Sequence, residues 1–238
     1  MSRRPSSVVL VVLVLLVAPP YANAQETARR SLDVAPFEQL CTLDELTHSY
    51  RCRAPLSEFP CDSLSKPPDT LAWLEPPLPI MSCRKRLSAA DSSERGVYRI
   101  PDQMTGGIYE YQIEYIVWKD GRFELLRSEE EFRETFAPVQ TVEEAFAFIV
   151  ALNKGSLVFD PGPILALQGG TYRVPKPAIK ATSGHPADEG FIINAYSDDG
   201  DCSEIIYKKT LLVKRKGEVS EQDSEVIWES DRKPRCVF

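Results

Sequence analysis

Two histidines are the residues best suited to acid–base chemistry in this sequence. His185 is followed by Asp188 and Glu189, and a histidine positioned by a carboxylate can act as the general base of a hydrolase. His48 lies among polar residues, near two cysteines. A catalytic role needs a positioned partner, which spacing alone does not show. His185, Asp188 and Glu189 are therefore candidate catalytic residues, and a surface location of both histidines is the simpler interpretation.

Motifs that hold a nucleophile, a metal or a phosphate are missing from the sequence. It contains no G-x-S-x-G, H-E-x-x-H, G-x-G-x-x-G or G-x-x-x-x-G-K-[ST] pattern, and each of these places reactive or phosphate-binding groups at a defined geometry. The sequence accordingly predicts no cofactor. It favours a protein that is not an enzyme, while leaving that question open.

Three aspartates around one glycine raise the question of calcium. Asp198, Asp199 and Asp201 flank Gly200, and clustered carboxylates suit a hard cation. The twelve-residue calcium loop needs a glutamate six positions after its glycine, where this sequence has Ile206. A tight turn between strands favours the same residue types. We predict a turn here and no metal site.

Six cysteines form the most informative set of reactive side chains. An even number in an exported chain predicts disulfides, and six cysteines allow 15 pairings that sequence cannot distinguish. We expect Cys202 to pair with Cys236 and the first four to pair among themselves. A reactive thiol or a metal site is the alternative, but there is no C-x-x-C motif. The six are Cys41, Cys52, Cys61, Cys83, Cys202 and Cys236.

The first 24 residues have the pattern of a signal peptide. Two arginines precede an apolar run from Val8 to Ala18, and small residues follow up to Ala24, which predicts cleavage after Ala24. The run is too short to span a bilayer core, which needs about 20 residues. The next residue is Gln25, so a lipid-carrying cysteine is not expected. We expect a secreted or periplasmic protein without a stable membrane anchor.

Acidic residues dominate the charge. The chain has 28 Lys and Arg against 35 Asp and Glu, a net charge of −7, and losing residues 1–24 with their two arginines makes it −9. Nucleic acids and anionic membranes repel such a chain on average. The basic cluster between Lys208 and Lys216 is typical of a solvated strand face. We expect no nucleic-acid partner, and another exported protein as the kind of partner to look for.

The composition changes near residue 93. Residues 25–93 hold eight prolines and four of the six cysteines, which disfavour long regular elements. We predict an irregular extension held by disulfides, with short helical turns near 36–46 and 69–74. Residues 94–238 are predicted to form one α+β domain.

Alternating residues and capping boxes give the clearest local signals. Tyr109 to Val117 alternate with period two, which predicts a strand whose tyrosines face a core, and Asp-Gly at 120–121 predicts a hairpin. Capping boxes at 128–131 and 141–144 predict two short helices, the second ending at Gly155.

The C-terminal part predicts further strands. Residues 156–190 are rich in proline and glycine, which favours loops or short edge strands and leaves room for a lid or binding loop. Phe191–Tyr196, Cys202–Lys214 and Glu225–Trp228 predict three antiparallel strands. The predicted fold class is α+β: one antiparallel sheet covered by the two capped helices, with the irregular, disulfide-stapled N-terminal extension packed on it.

Three stretches carry a family resemblance. They are Y-I-V-W-K-D-G-R-F at 115–123, S-E-E-E-F at 128–132 and P-V-Q-T-V-E-E-A at 138–145. They resemble uncharacterised exported bacterial proteins known mainly from myxobacteria, a likeness that implies no catalytic residues. The order of one helix and three strands from Thr141 to Trp228 is similar to PepSY-type modules, which are associated with restraining secreted peptidases. The segment 156–190 and the disulfides depart from that pattern.

Three classes of function follow. The leading hypothesis is a non-enzymatic exported binding or inhibitory module. The sequence clearly predicts several helices and strands but contains no catalytic motif. The second is an extracellular hydrolase with an unrecognised site, for which loss of turnover in His185→Ala would be diagnostic. The third is a structural envelope component, which would associate tightly with other envelope proteins.

Overall fold

The computed structural model of the protein describes residues 30–88, 96–101, 109–198 and 205–231. The strands are β1 Cys41–Asp44, β2 Ser49–Cys52, β3 Ser63–Ser65, β4 Ile80–Ser88, β5 Tyr98–Pro101, β6 Tyr109–Lys119, β7 Arg122–Leu126, β8 Gly170–Tyr172, β9 Ser183–Ala187, β10 Gly190–Asp198, β11 Ile205–Lys214 and β12 Val219–Ser230. The helices are α1 Ala35–Glu38, α2 Glu129–Phe136, α3 Val142–Ala151 and α4 Gly162–Leu165, and 3-10 turns span Leu56–Glu58, Asp69–Trp73 and Lys176–Ala178. The predicted signal peptide, residues 1–24, lies outside the described residues.

The strands form two antiparallel sheets. Sheet A has the order β1-β2-β3-β4-β6-β5, with β7 also paired to β6, and sheet B has the order β8-β12-β11-β10-β9. The α+β class and the antiparallel pairing are confirmed. A single sheet covered by two helices is not confirmed, because the described strands divide between two sheets. Alternation along a chain predicts strands, but it does not say which strands pair across long sequence distances.

One hydrophobic core joins the two sheets. It contains buried side chains from β6, from α2 and α3, and from β10 and β11. α3 packs against the 3-10 turn Asp69–Trp73 and against β9, β10 and β11, which explains why most of its residues are buried. Trp73 packs at the edge of this core against Phe146.

Sheet A is buried on both faces. Ile80 and Val117 are directly paired and belong to the core between the sheets, whereas the next pair, Met81 and Ile116, belongs to a second core. Cross-strand partners share a face and successive residues alternate between faces, so β4 and β6 supply both cores. The second core is formed by Phe37, Leu56, Leu64, Met81, Cys83 and Ile116.

The N-terminal part is more regular than predicted. It contributes β1 to β4 to sheet A, and β4 pairs with β6 along its nine residues. The prolines at 67–68 and at 76–79 fall between β3 and β4, where they interrupt no strand ladder. The helical turn predicted near 36–46 is limited to α1 and is followed by β1, whereas the turn near 69–74 is confirmed as the 3-10 turn Asp69–Trp73.

The hairpin turn and both helix starts predicted for the middle part are confirmed, but α3 ends at Ala151 rather than at Gly155, because Asn153 takes the left-handed conformation that ends the helix. Asp120 and Gly121 have φ values of 51° and 79° and join β6 to β7. The hydroxyl oxygens of Ser128 and Thr141 accept hydrogen bonds from the amides of the third residue of α2 and of α3. Both helices therefore begin at the predicted cap.

The C-terminal strands are confirmed as β10, β11 and β12, with β12 beginning earlier than predicted. The segment 156–190 holds α4, β8 and β9, in keeping with the predicted short edge strands. Its apolar residues cover one end of sheet B in a small satellite cluster around Ile164, Tyr196 and Trp228.

Candidate functional site

A disulfide-bonded hairpin forms one edge of sheet A. We call residues 41–52 the arm. Cys41 and Cys52 are directly opposed in the β1–β2 pair and are joined by a disulfide. β1 ends the sheet, and β2 is paired to β3 only through Tyr50 and Leu64. The arm is therefore closed covalently at its base and has one strand partner, β3, within the described part of the chain.

The two described disulfides agree with the predicted grouping of the cysteines. Cys41 pairs with Cys52 and Cys61 pairs with Cys83, so the first four cysteines pair among themselves as expected. Cys202 and Cys236 lie outside the described residues. Disulfides of this kind are compatible with an oxidising, extracellular or periplasmic location.

Hydrogen bonds order the tip of the arm. Asp44 Oδ1 accepts from the amides of Leu46 at 3.1 Å and Thr47 at 3.4 Å, and Asp44 Oδ2 accepts from Arg51 Nη2 at 2.9 Å. The hydroxyls of Thr47 and Ser49 are 2.7 Å apart. A short loop in which a carboxylate binds the following amides has few alternative conformations, so the tip is held in one shape.

The same contacts govern the charge of Asp44. The hydrogen bond from the Leu46 amide is the main reason that the pKa of this carboxyl lies below its ordinary value of 3.8, and the Thr47 amide and the charge of Arg51 act in the same direction against partial desolvation. A lowered folded-state pKa stabilises the ionised form, so the stabilisation is complete at neutral pH and is lost only as the pH falls through that lowered value. The tip stays ordered across the physiological range.

The arm exposes apolar side chains. Leu46 at the tip is 95% exposed and Leu43 is 46% exposed, and the third large apolar side chain exposed among the described residues is Phe159 at 44%. Leu43 is paired with Tyr50, on the same face as the disulfide. Tyr50 and both cysteines of the arm pack against the second core. An apolar stripe thus runs from the core of sheet A to the tip.

His48 lies in this tip and adds to its shape. Its backbone has a φ of 51°, the left-handed region that few residues other than glycine adopt. Its side chain is exposed. The structure therefore places one of the two histidines on the arm, two residues from Leu46.

The candidate catalytic residues lie on sheet B, far along the chain from the arm. His185 is an exposed residue of the edge strand β9, opposite Ile192, rather than part of a loop. Asp188 and Glu189 form the turn between β9 and β10. In the described ranges, no hydrogen bond or ion pair links His185 to either carboxylate. The three residues are neighbours in sequence without forming the oriented pair that a general base needs.

The aspartate cluster can be placed only in part. Asp198 is the last residue of β10, and residues 199–204 lie outside the described ranges. Within those ranges, no group of three or more His, Cys, Asp or Glu side chains could hold a metal ion.

A groove of about 390 Å³ lies between α2 and the β11–β12 turn. Its charged lining is evenly divided: three acidic and three basic side chains face it, Glu130, Arg133, Glu134, Arg215, Lys216 and Glu218. Balanced charges in an open groove select weakly between cations and anions, so we assign no ligand to it.

Sequence reasoning missed Leu43 and Leu46. Two cysteines 11 positions apart enclose a mostly polar segment with these two leucines, and that contrast was the available signal. The contrast points to a binding surface only once the structure shows that the disulfide closes the segment into a hairpin and that both leucines are exposed among the described residues.

No family model, curated protein or solved structure matches this chain. In the part of the chain that the structure describes, no helix has the length and apolar character needed to cross a membrane. The resemblances noted in the sequence stay predictions.

Proposed function

We propose that this protein is an exported, non-enzymatic binding module that contacts another exported protein through the arm. The observation that carries the proposal is the 95% exposure of Leu46 at the tip of a covalently closed hairpin. Isolated apolar side chains are common on protein surfaces. Leu46 differs because a disulfide and the Asp44 hydrogen bonds fix the backbone that presents it.

Burial of Leu46 against a partner would be energetically favourable. Burying an exposed leucine contributes about 1.5–3 kcal/mol. A loop that is already ordered loses little conformational entropy when it binds, so more of that free energy appears as affinity. Leu43 on the same stripe extends the surface available for burial.

The surroundings of Leu46 indicate the kind of partner. Asp44 and Glu45 precede it, and carboxylates next to an apolar tip oppose insertion into an anionic membrane. The amides of Leu46 and Thr47 already donate to Asp44, so they are not available to extend a partner's sheet. The tip is suited to inserting a side chain into an apolar pocket of a protein. An inhibitory role is the case in which that pocket belongs to an enzyme.

Site-specific photocrosslinking tests this proposal. A photoreactive residue at position 46 should trap a defined exported protein, and one at Ser57, which is also exposed, should not. Unlabelled wild-type protein should compete for the trapped partner, and Leu46→Ser should compete at least about tenfold less well, because about 1.4 kcal/mol of binding free energy corresponds to tenfold in affinity.

The controls separate binding from folding. Leu46 buries almost none of its surface, so Leu46→Ser should leave the melting temperature unchanged. Phe159→Ser removes an apolar side chain that is 44% exposed outside the arm, and it should compete like the wild type. Equal competition by Leu46→Ser and wild type would contradict the proposal.

A further inference from the structure

The arm depends strongly on its disulfide. It contains four cross-strand pairs between β1 and β2 and one pair to β3. At its base, the Arg53 amide donates to the Leu40 carbonyl at 3.0 Å. A two-stranded hairpin of this size is marginally stable in water without further support. The bond between Cys41 and Cys52 therefore supplies much of what keeps the tip in one conformation.

The Cys61–Cys83 disulfide is less important for keeping its neighbouring segments in place. Asp62 and Ser63 follow Cys61 directly and are hydrogen-bonded or paired to β4, and Cys83 lies within β4, an interior strand of sheet A. Removing that bond would free no segment comparable with the arm.

The two bonds also differ in their access to thiols. Cys41 and Cys52 are both only partly buried, whereas Cys83 has no exposed surface. In thiol–disulfide exchange, a thiolate attacks one sulfur and the other leaves as a thiolate. Attack at Cys83 is blocked by the core. Attack at Cys61 would release an anion at Cys83 in apolar surroundings, which is energetically costly.

We propose that the Cys41–Cys52 bond is a selectively reducible disulfide, and that a dithiol switches the arm from a closed, binding-competent form to an open form. One thiolate of the dithiol attacks a sulfur of the arm and forms a mixed disulfide. Its second thiolate then displaces the remaining cysteine sulfur. The dithiol is oxidised to a disulfide, and Cys41 and Cys52 are reduced to two thiols by two electrons and two protons. The statement about binding competence rests on the proposed function.

Stepwise reduction of the native protein tests the selectivity. The oxidised mature chain is treated with limiting dithiothreitol, quenched with iodoacetamide and mapped by mass spectrometry. Alkylation at Cys41 and Cys52 should be about tenfold faster or more than at Cys61 and Cys83, since exchange rates follow access and leaving-group stability. Equal rates, or faster reduction of the Cys61–Cys83 bond, would overturn the inference.

Hydrogen exchange tests the structural consequence. In the Cys41→Ser, Cys52→Ser double variant, amides of the arm should exchange about tenfold faster or more, while β4 and β6 keep their protection. Wild-type protein with only the arm disulfide reduced and alkylated provides the same comparison if the variant folds poorly. Unchanged protection of the arm would refute the switch.

The proposed binding function and the proposed redox switch can be refuted independently. Selective reduction and opening are measured without any partner, so an absent crosslink at position 46 would refute the binding function alone. Loss of crosslinking on reduction of the arm, with the crosslink present in the oxidised protein, is the result expected when both are correct.

Discussion

The hydroxyl of Tyr115 links sheet A to α3, and its removal provides a quantitative test of the core. Tyr115 lies on β6 with 2% of its surface exposed, and its hydroxyl donates to the carbonyl oxygen of Ala151 at 3.0 Å. Ala151 is the last residue of α3, where carbonyl groups have no donor within the helix. No other donor to this carbonyl is found among the described residues.

Tyr115→Phe should destabilise the protein at neutral pH. The substitution removes one oxygen, so the cavity it leaves is small. The Ala151 carbonyl, in contrast, would stay buried without a hydrogen bond, which costs about 1–3 kcal/mol. We expect a fall in the free energy of unfolding within that range.

The effect should shrink at high pH. Burial, with a smaller contribution from Tyr98, raises the pKa of Tyr115 well above its ordinary value of 10. A folded-state pKa above the unfolded value gives stability that is complete below the unfolded pKa and is lost as the pH rises beyond it. For an unfolded pKa of about 10, the wild type loses about 1 kcal/mol through this group by about pH 10.5. Phenylalanine does not titrate, so the gap between the two proteins should narrow by that amount.

Urea unfolding at neutral pH and at about pH 10.5 measures both effects. Tyr207→Phe is the matched control, because Tyr207 is half-buried on β11 and no hydrogen bond of its hydroxyl is found in the described part of the chain; it should change stability by less than about 0.5 kcal/mol. A gap at neutral pH no larger than that of the control, or a gap that widens with pH, would refute the reasoning.

Three further predictions concern a cap, two glycines and the remaining cysteines. Thr141→Ala should cost about 1 kcal/mol in urea unfolding through loss of the α3 cap, and a neutral result would contradict its capping role. Gly121 and Gly217 have similar φ values of 79° and 81°, but a Cβ would meet nothing within 4 Å at Gly121 and would lie 2.5 Å from a buried aromatic carbon at Gly217. Alanine should therefore lower the free energy of unfolding by about 1–2 kcal/mol at Gly121, through backbone strain alone. At Gly217 the steric clash should lower it by about 1–3 kcal/mol more. Non-reducing peptide mapping should find Cys202 linked to Cys236, since the other four cysteines pair with one another, and free thiols at those positions would count against this pairing.

The sequence was informative where structure is determined locally. The caps at Ser128 and Thr141 each involve residues three positions apart, and the turn at Asp120–Gly121 needs only the backbone freedom of those two residues. The grouping of the first four cysteines also follows from short separations along the chain. Such features need no knowledge of the remaining fold.

Local sequence patterns could not predict the division into two sheets or the exposed apolar tip of the arm. β4 pairs directly with β6, although β5 lies between them in the sequence. Nothing in the alternation of either strand specifies its partner. The exposure of Leu46 could not be predicted from its polar sequence neighbours, because exposure depends on which surfaces the rest of the chain covers. Closeness in sequence was also a poor guide to side-chain pairing, since no hydrogen bond or ion pair between His185 and Asp188 is found among the described residues.

The core shared by the two sheets has a consequence for how the protein folds. It brings together side chains from Leu32 to Val213, so many of its contacts close long loops. Such contacts require a large loss of chain entropy before they are formed, and folding rates fall as the sequence separation of contacts grows. We expect folding to be slow relative to a helical protein of similar length. In a chain threaded through a membrane pore from its N-terminus, this core could not be completed until β11 had followed, because the residues before β11 supply only part of it.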